Sequence, residues 1–380
     1  MHTLPPLGLT PLPQIDLRHL FVLTDDTGML QHATHATPDL HHGYCTDDNA
    51  RALIAAVKVA SLPSDLWVRR DGGQGYGPED LQVATQRYLA FLAYAFNEDA
   101  GRFRNFMQYD RDWLEEVGSE DSHARTVWAL GKAVRFAPND DVAELADRLM
   151  HQALPATETF EHIRPWAYTL LGVDEYLRSR RGAPPARRLH ASLAERLYAQ
   201  WKDHATEDWP WWADELTWGN AKLPHAMFVA GLTTERSELC EAALKALRWL
   251  VKVQTGSAGQ LSIIGNRGWY HRGGRKARWD QQPIEAKGLV QACVTAAAGT
   301  GQSEWTDRTR QCFQWFTGRN DADAPLYNSD TGGGQDGLTE HGPNANQGAE
   351  STLAYLLSVL ELHLYDRAQK GEMRLAPVVG

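Results

Sequence analysis

The chain has 380 residues, 43% of them hydrophobic, and a formal net charge of −10 at pH 7. A core of that size allows one to three domains. The negative charge, with no Lys/Arg-rich run to reverse it, argues against nucleic acid or an anionic membrane as a partner. We find no secretory signal and no apolar run long enough to span a membrane. The four cysteines are scattered without zinc-ligand spacing, so we expect a cytoplasmic protein with reduced thiols.

Two kinds of helix alternate along the chain. Five segments have one apolar face and a polar back, as expected of outer helices; they span residues 78–96, 141–154, 187–201, 235–253 and 304–318. Six other segments begin in a polar, aromatic loop and continue as a nearly all-apolar helix: CTDDNARALIAAVKVA, SEDSHARTVWALGKAV, HIRPWAYTLLGVDEYL, TWGNAKLPHAMFVAGL, DQQPIEAKGLVQACVTAAA and NQGAESTLAYLLSVLELHL. The first two share the pattern acid-x-x-Ala-Arg, which ends at Arg51 and Arg125.

This alternation predicts an all-α fold, an (α/α)6 barrel with the apolar helices as its inner ring. We expect one domain over residues 1–380, with residues 1–20 as an N-terminal arm. Only five outer helices are recognisable, so the sixth must come from the N-terminal or the C-terminal residues. Because an antiparallel outer helix separates successive inner helices, all inner N-termini should open on one face.

Acidic residues recur where the inner helices begin, and the candidates for catalysis are Asp47, Asp48, Asp121, Asp280 and Glu350. The helix dipole and capping explain acids in a first turn, such as Asp47 and Asp48, about as well as a catalytic role does. Glu350 lies about one turn into an apolar helix, where capping no longer explains it and a partner or a task is needed.

Aromatic and hydrogen-bonding side chains accompany these acids, a mixture that suits sugars. Carboxylates, amides and guanidinium groups bind sugar hydroxyls, and aromatic rings pack on the C–H faces of the sugar. For Arg51 and Arg125 a buried ion pair is the simpler explanation. The candidate substrate-binding residues are Tyr44, Arg51, His123, Arg125, Trp166, Trp218, Asn220, Trp269, Tyr270, His271, Arg272, Gln281, Gln282, Asn346 and Gln347.

Four motifs resemble an uncharacterised bacterial family related to the six-hairpin glycosidases: QHATHATPDLHHGYCTDDNARAL, NFMQYDRDWLEEVGSEDSHAR, IGNRGWYHRGG with WDQQPIEA, and NANQGAESTLAYLL. The resemblance runs from about residue 19 to residue 362. It implies an (α/α)6 toroid with a carbohydrate site at the N-terminal face of the inner helices. The Asp47–Asp48 pair is similar to the Asp-Asp pair of the endo-α-1,6-mannanases in this superfamily, although the surrounding residues differ, and it raises mannosides as a substrate class.

We therefore expect an enzyme, a glycoside hydrolase that cleaves small oligosaccharides with two carboxylates. The preferred pair is Asp48 with Asp280, and Asp121 with Asp280 is an alternative across the ring. A sugar isomerase or epimerase with a base among His123, His225 and His271 is a rival, as is a glycoside phosphorylase. A non-catalytic carbohydrate-binding or scaffold protein is a further one. The sequence offers no convincing metal ligands and calls for no cofactor, and it leaves the oligomeric state open.

Overall fold

The computed structural model describes residues 4–68, 76–180 and 182–373, and within them the chain is mainly helical. Apart from one turn of 3-10 helix at Ser64–Leu66, these residues form twelve helices: α1 (Arg18–Val22), α2 (Thr46–Ala60), α3 (Pro78–Ala95), α4 (Glu120–Phe136), α5 (Asp140–Thr157), α6 (Ile163–Ser179), α7 (Pro184–His204), α8 (Lys222–Thr233), α9 (Ser237–Val253), α10 (Pro283–Thr300), α11 (Ser303–Gln314) and α12 (Ala349–Gln369).

The helices form two concentric rings. Helices α2, α4, α6, α8, α10 and α12 pack in that order, and α12 returns to contact α2, which closes the inner ring. Each of α3, α5, α7, α9 and α11 packs on the inner helix that precedes it. The predicted alternation of inner and outer helices is therefore confirmed. The inner helices are buried around most of their circumference, which is why their sequences lack a polar face.

The N-terminal arm takes the place beside α12 where a sixth outer helix would lie. The Tyr365 hydroxyl of α12 donates to the Pro5 carbonyl at 2.9 Å, and His363 Nε2 lies 2.7 Å from the Pro13 carbonyl. The short helix α1 also contacts α12. Four prolines within residues 5–13 account for the extended path, since proline removes backbone donors and disfavours a helical preceding residue.

Two glycines bring α4 and α6 unusually close. A Cβ on Gly131 would lie 2.1 Å from the Gly172 carbonyl oxygen, and a Cβ on Gly172 would lie 2.7 Å from the Cα of Trp128. The two backbones thus pack directly against each other at this crossing. A side chain at either position would push the helices apart and open the inner ring.

Short strands lie on the face of the barrel where the inner helices begin. The largest sheet is antiparallel and consists, in this order, of β1 (Leu30–Thr34), β2 (Thr37–Cys45) and β5 (Phe106–Met107). The sequence prediction missed the β1–β2 hairpin, because its strands carry many polar residues and no clean alternation. The strands are β1 (Leu30–Thr34), β2 (Thr37–Cys45), β3 (Phe96–Asn97), β4 (Arg102–Phe103), β5 (Phe106–Met107), β6 (Glu215–Leu216), β7 (Tyr270–His271), β8 (Tyr327–Asn328), β9 (Gly333–Gly334), β10 (Leu338–Thr339) and β11 (Gly342–Pro343).

The opposite end of the barrel is closed by buried ion pairs. Lys58 Nζ lies 2.5 Å from Glu361 Oε1, and Lys132 Nζ lies 2.6 Å from Glu175 Oε1. A cavity of about 50 Å³ at this end is lined by residues from the C-terminal halves of all six inner helices. The six helices therefore run parallel, as the sequence predicted. No helix among the described residues is long and apolar enough to cross a bilayer.

Candidate active site

The N-terminal ends of four inner helices surround a depression of about 440 Å³, the central depression. Helices α2, α4, α10 and α12 contribute their first turns, and β1 and the segment around β5 form its wall. The residues that line it are Gln31, His32, Cys45, Asp47, Asp48, Arg51, Asn105, Phe106, Ser119, Asp121, Ser122, Gln282, Pro283, Asp336, Gly348, Glu350 and Ser351. Unpaired helix N–H groups and positive dipole ends therefore face the same space as the carboxylates.

Arg51 holds three of the predicted acids together. Its Nη2 atom lies 2.8 Å from Asp47 Oδ2 and 3.0 Å from Asp48 Oδ1, and its Nη1 atom lies 2.7 Å from Glu350 Oε2. Asp47 and Asp48 reach the same nitrogen because i,i+4 and i,i+3 neighbours share one face of α2. Glu350 arrives from α12, which packs on α2 where the ring closes.

Arg125 adds the fourth acid and places Asp47 between two guanidinium groups. Arg125 Nε lies 2.6 Å from Asp121 Oδ2, and its Nη1 atom lies 3.2 Å from Asp47 Oδ2. The Arg125 guanidinium also stacks 4.7 Å from the centre of the Tyr168 ring. The shared acid-x-x-Ala-Arg pattern thus builds the same i,i+4 ion pair at the start of α2 and of α4.

The two adjacent aspartates have opposite pKa shifts. Burial alone would raise the pKa of Asp47, but the charges of Arg125, Arg51 and Lys287 outweigh it, and the net shift is downward. Burial is the largest contribution for Asp48 and raises its pKa to about 7; the positive charges of Arg51 and Arg125 oppose this rise, and the negative charges of Asp47 and Glu350 add to it. At neutral pH one carboxyl group is therefore ionised while its neighbour keeps a proton for a substantial part of the time.

The charges of Arg51 and Arg125 also shift the pKa values of two further groups, Glu350 and Lys287. Burial alone would raise the pKa of Glu350, but Arg51 and Arg125 lower it overall. Lys287 of α10 is buried, and burial together with the positive charges of Arg51 and Arg125 lowers its pKa to about 7. The site therefore contains three groups, Asp47, Asp48 and Glu350, whose protonation depends on one shared arginine.

Asp280, a member of the preferred catalytic pair, does not join this cluster. Its carboxylate pairs with Arg267 at 2.8 Å, and it lines a separate depression together with Trp279 and Glu340. Its backbone has a φ of 61°, and the chain reaches the central depression only two residues later, at Gln282. The structure thus separates Asp280 from Asp48 and Asp121 in the predicted pairings.

Six predicted substrate-binding residues are buried and hydrogen-bonded within the protein. His123 shows the pattern: its Nε2 lies 3.0 Å from the Ala153 carbonyl, its Nδ1 accepts from the Phe103 amide, and burial lowers its pKa to about 3. It therefore supports α4 against α5 and faces away from the central depression. The six are Tyr44, His123, Trp166, Asn220, Gln281 and Gln347, bonded to Asp25, Ala153, Phe160, Glu285, Asp321 and Thr331 respectively.

Six other predicted residues lie in loops or in β7, outside the lining of the central depression. The rings of Trp218 and Trp269 are neighbours at 6.0 Å, and Trp218 is 40% exposed. The remaining four are engaged locally: Tyr270 packs on Trp209, His271 lies near Glu215, Arg272 pairs with Asp214, and Asn346 accepts from the His35 amide. Among the predicted substrate-binding residues, Arg51 and Gln282 line the depression itself, and Arg125 contacts two of its acids.

Sequence reasoning predicted six of the seventeen described residues that line the central depression as site residues. His32 and Asn105 come from β1 and the β4–β5 link, and no local pattern marks them as site residues. Ser119 and Ser122 flank the acids of the SEDS motif and could have been found from that spacing. The other lining residues are Gln31, His32, Cys45, Asn105, Phe106, Ser119, Ser122, Pro283, Asp336, Gly348 and Ser351.

No family model matches the chain, and no curated protein matches it in sequence. Solved structures match it over nearly its whole length. The cellobiose 2-epimerase of Bacillus thermoamylovorans is 12% identical with a TM-score of 0.70, and the match covers 93% of this chain and 96% of that one. A sugar epimerase from a ruminal bacterium is 11% identical with a TM-score of 0.67, covering 91% and 94%.

A second group of similar structures consists of mannanases. The α-1,6-mannanase of a Salegentibacter species is 12% identical with a TM-score of 0.55, and the match covers 92% of this chain and 96% of that one. Both groups are (α/α)6 toroids. The predicted (α/α)6 toroid fold is thereby confirmed.

Proposed function

We propose that the protein is a glycoside hydrolase in which Asp48 donates a proton to the leaving oxygen and Asp47 acts as the ionised carboxylate. The observation that carries this proposal is the pair of adjacent carboxyl groups with opposite pKa shifts in one depression. Two titratable groups whose environments separate their pKa values are the arrangement that acid and base roles require.

The spacing of the two carboxyl groups favours retention of configuration. Asp47 Oδ2 and Asp48 Oδ1 lie 2.8 Å and 3.0 Å from the same Arg51 nitrogen, so the sum of these distances limits their separation to 5.8 Å. Retaining glycosidases have carboxyl groups about 5–5.5 Å apart, whereas inverting enzymes need about 6.5–9.5 Å to admit a water molecule. Asp47 would then attack the sugar directly and form the glycosyl-enzyme intermediate.

The proposed substrate is a small oligosaccharide of the mannoside class. Two of the similar structures are variants of the Salegentibacter α-1,6-mannanase that are described as inactive after replacement of two adjacent aspartates, and they hold α-1,6-linked manno-oligosaccharides. The adjacent pair Asp47–Asp48 stands at the start of an inner helix in the present chain. The combined likeness of fold and paired acids supports this substrate class.

Phosphorolysis fits the central depression less well than hydrolysis. Among its described lining residues Arg51 is the one Lys or Arg side chain, and it already contacts three carboxylates. A phosphate co-substrate needs cationic or N–H donors that are free to bind it. The excess of carboxylates would also repel the phosphate dianion.

The test is a panel of α- and β-linked manno- and gluco-oligosaccharides, including α-1,6-mannotriose, followed by NMR of the first product anomer. We expect cleavage with retention, and a loss of at least about 10³-fold in kcat for Asp47→Asn and for Asp48→Asn. Asp99→Asn, an exposed acid in the turn between β3 and β4, serves as the control and should keep wild-type activity. Full activity of both site variants would place the chemistry elsewhere.

A sugar epimerase or isomerase is the second candidate, and His32 is the observation that favours it. His32 lines the central depression, and its ring lies 4.6 Å from that of His42. Burial is the main cause of its lowered pKa, which favours the neutral base form. Of the predicted bases, His123 is buried against Ala153, His225 lines the cavity at the opposite end of the barrel, and His271 lies outside the central lining.

Incubation with free mannose and with cellobiose separates the two reactions. Conversion of mannose into another monosaccharide, or of cellobiose into an epimerised disaccharide, would replace the hydrolase proposal with the epimerase one if the His32→Ala variant lost this activity. Binding of oligosaccharides without turnover of any of them would instead indicate a non-catalytic carbohydrate-binding protein.

A further inference from the structure

Three polar atoms on one side of the central depression have no hydrogen-bond partner among the residues that the structure describes. They are Asn105 Oδ1, Asp121 Oδ1 and Ser122 Oγ, and all three are shielded from solvent although their residues line the depression. Buried polar groups in folded proteins are nearly always paired, so each such atom requires an explanation. We call these three residues the acceptor wall.

The protein fixes the acceptor wall from behind. The Asn105 carbonyl accepts from the Thr46 amide at 2.8 Å, which ties the β4–β5 link to the start of α2. The Ser119 hydroxyl caps α4 by accepting from the Ser122 amide at 3.1 Å. Asp121 is held through its other oxygen by Arg125 at 2.6 Å. The backbones of Asn105 and Ser122 and the carboxylate of Asp121 are therefore held in place before any ligand arrives.

The opposite side of the depression offers a contrast. The Ser351 hydroxyl donates to Asp336 Oδ1 at 2.5 Å and contacts the Gly348 carbonyl at 3.1 Å. Asp336 Oδ1 also accepts from the Gly348 amide at 2.8 Å. The Ser351 hydroxyl group is therefore already bonded to the protein, and among the described lining residues the solvent-shielded unpaired atoms are those of the acceptor wall.

The unpaired atoms call for a ligand that donates at least two hydrogen bonds. Asn105 Oδ1 and Asp121 Oδ1 only accept, while the Ser122 hydroxyl both donates and accepts. Neighbouring hydroxyl groups on a pyranose ring match this set. Arg125 contacts both Asp121 and Asp47, so a ring bound at the wall lies beside the proposed catalytic acids.

We propose that the acceptor wall of Asn105, Asp121 and Ser122 is a specificity-determining subsite that binds two neighbouring free hydroxyl groups of a neutral pyranose unit. The Asp121 carboxylate disfavours a sugar that carries a carboxylate or phosphate at this position. The inference rests on the proposed function in taking the ligand to be a sugar, but it does not depend on whether the sugar is hydrolysed or epimerised.

The test is calorimetric titration of the full chain with α-1,6-mannobiose and its monodeoxy analogues, using Asp48→Asn as the common background to prevent turnover. Removal of a hydroxyl group that contacts the wall should weaken binding about 3- to 10-fold. Ser122→Ala should weaken binding of the parent disaccharide by a similar factor. This variant should also bind the parent disaccharide no more tightly than the analogue that lacks the contacting hydroxyl group. Asn105→Ala should likewise remove the difference in affinity between the parent disaccharide and the analogue that lacks the neighbouring hydroxyl group.

Ser351→Ala is the matched control, since Ser351 also lines the depression but its hydroxyl group is already bonded. It should keep the discrimination between parent and deoxy sugars. Equal effects of the two serine variants on that discrimination would overturn the proposal, as would failure of the background protein to bind α-1,6-mannobiose. If the acceptor-wall variants behave as expected but the wild-type protein, with Asp48 intact, cleaves no glycoside, the hydrolase proposal fails and the acceptor-wall proposal stands. Ser122→Ala removes one oxygen atom, so its folding can be verified by its thermal midpoint.

Discussion

Replacing Asp48 by asparagine should abolish activity and at the same time stabilise the folded protein above neutral pH. The Asp48 side chain is 4% exposed, and burial is the main reason that its pKa is about 7 instead of 3.8. Asparagine has the same shape without the charge, and its amide oxygen can keep the contact with Arg51. The substitution therefore removes the cost of ionising a buried carboxyl group.

The sign and size of the effect follow from proton linkage. Between about pH 4 and pH 7 the folded protein holds a proton on Asp48 that the unfolded chain releases, so the wild-type free energy of unfolding falls as pH rises. The difference between a pKa of 3.8 in the unfolded chain and about 7 in the folded protein corresponds to a loss of about 4 kcal/mol above pH 7. The Asp48→Asn variant does not lose this free energy of unfolding, because asparagine does not ionise. For a chain of this length, its thermal midpoint at pH 8 should be about 5 °C above that of the wild type.

Asp47→Asn supplies a control of opposite sign. The pKa of Asp47 is lowered because Arg125, Arg51 and Lys287 outweigh burial. Its carboxylate therefore stabilises the fold above about pH 4, and that stabilisation is lost as pH falls through the lowered pKa. The amide variant should be less stable than the wild type at neutral pH and approach it in acid.

The assay is urea denaturation followed by tryptophan fluorescence at intervals from pH 4 to pH 9 for the wild type and both variants. The stability difference between Asp48→Asn and the wild type should grow from near zero at the acid end to several kcal/mol at the alkaline end. A difference that stays constant with pH, or the same sign for both variants, would refute the opposite protonation states on which the proposed mechanism depends.

Further outcomes follow from the same structure. The value of kcat/KM should fall above about pH 7 as Asp48 loses its proton, and a pH–rate profile that rises steadily to pH 9 would contradict its role as the acid. Asp280→Asn should keep most of the activity in the oligosaccharide assay, because Asp280 pairs with Arg267 in a separate depression; a loss matching that of Asp48→Asn would restore it to the catalytic pair. Gly131→Ala should lower the free energy of unfolding by about 1–3 kcal/mol in urea titrations, whereas Gly182→Ala, with open space around its Cβ, should change little.

The amino-acid sequence by itself determined the order of inner and outer helices and the face of the barrel on which a site could lie. Periodicity separated apolar from amphipathic segments, because burial on all sides and burial on one side leave different patterns. The strict alternation then required parallel inner helices with a common N-terminal face. The acid-x-x-Ala-Arg pattern also placed Asp47 with Arg51, and Asp121 with Arg125, since residues four apart share a helix face.

Only the tertiary structure decided which of the candidate acids meet. Asp48 and Glu350 are about 300 residues apart, and ring closure brings both to Arg51. Asp280 stands at a comparable helix entrance, yet its position in the preceding loop directs it to Arg267. Likewise His123 looked like a site residue in its motif, but its ring supports the neighbouring helix. Local periodicity fixes which face of a helix is buried, whereas loop paths and contacts between helices fix what a side chain at the helix entrance touches.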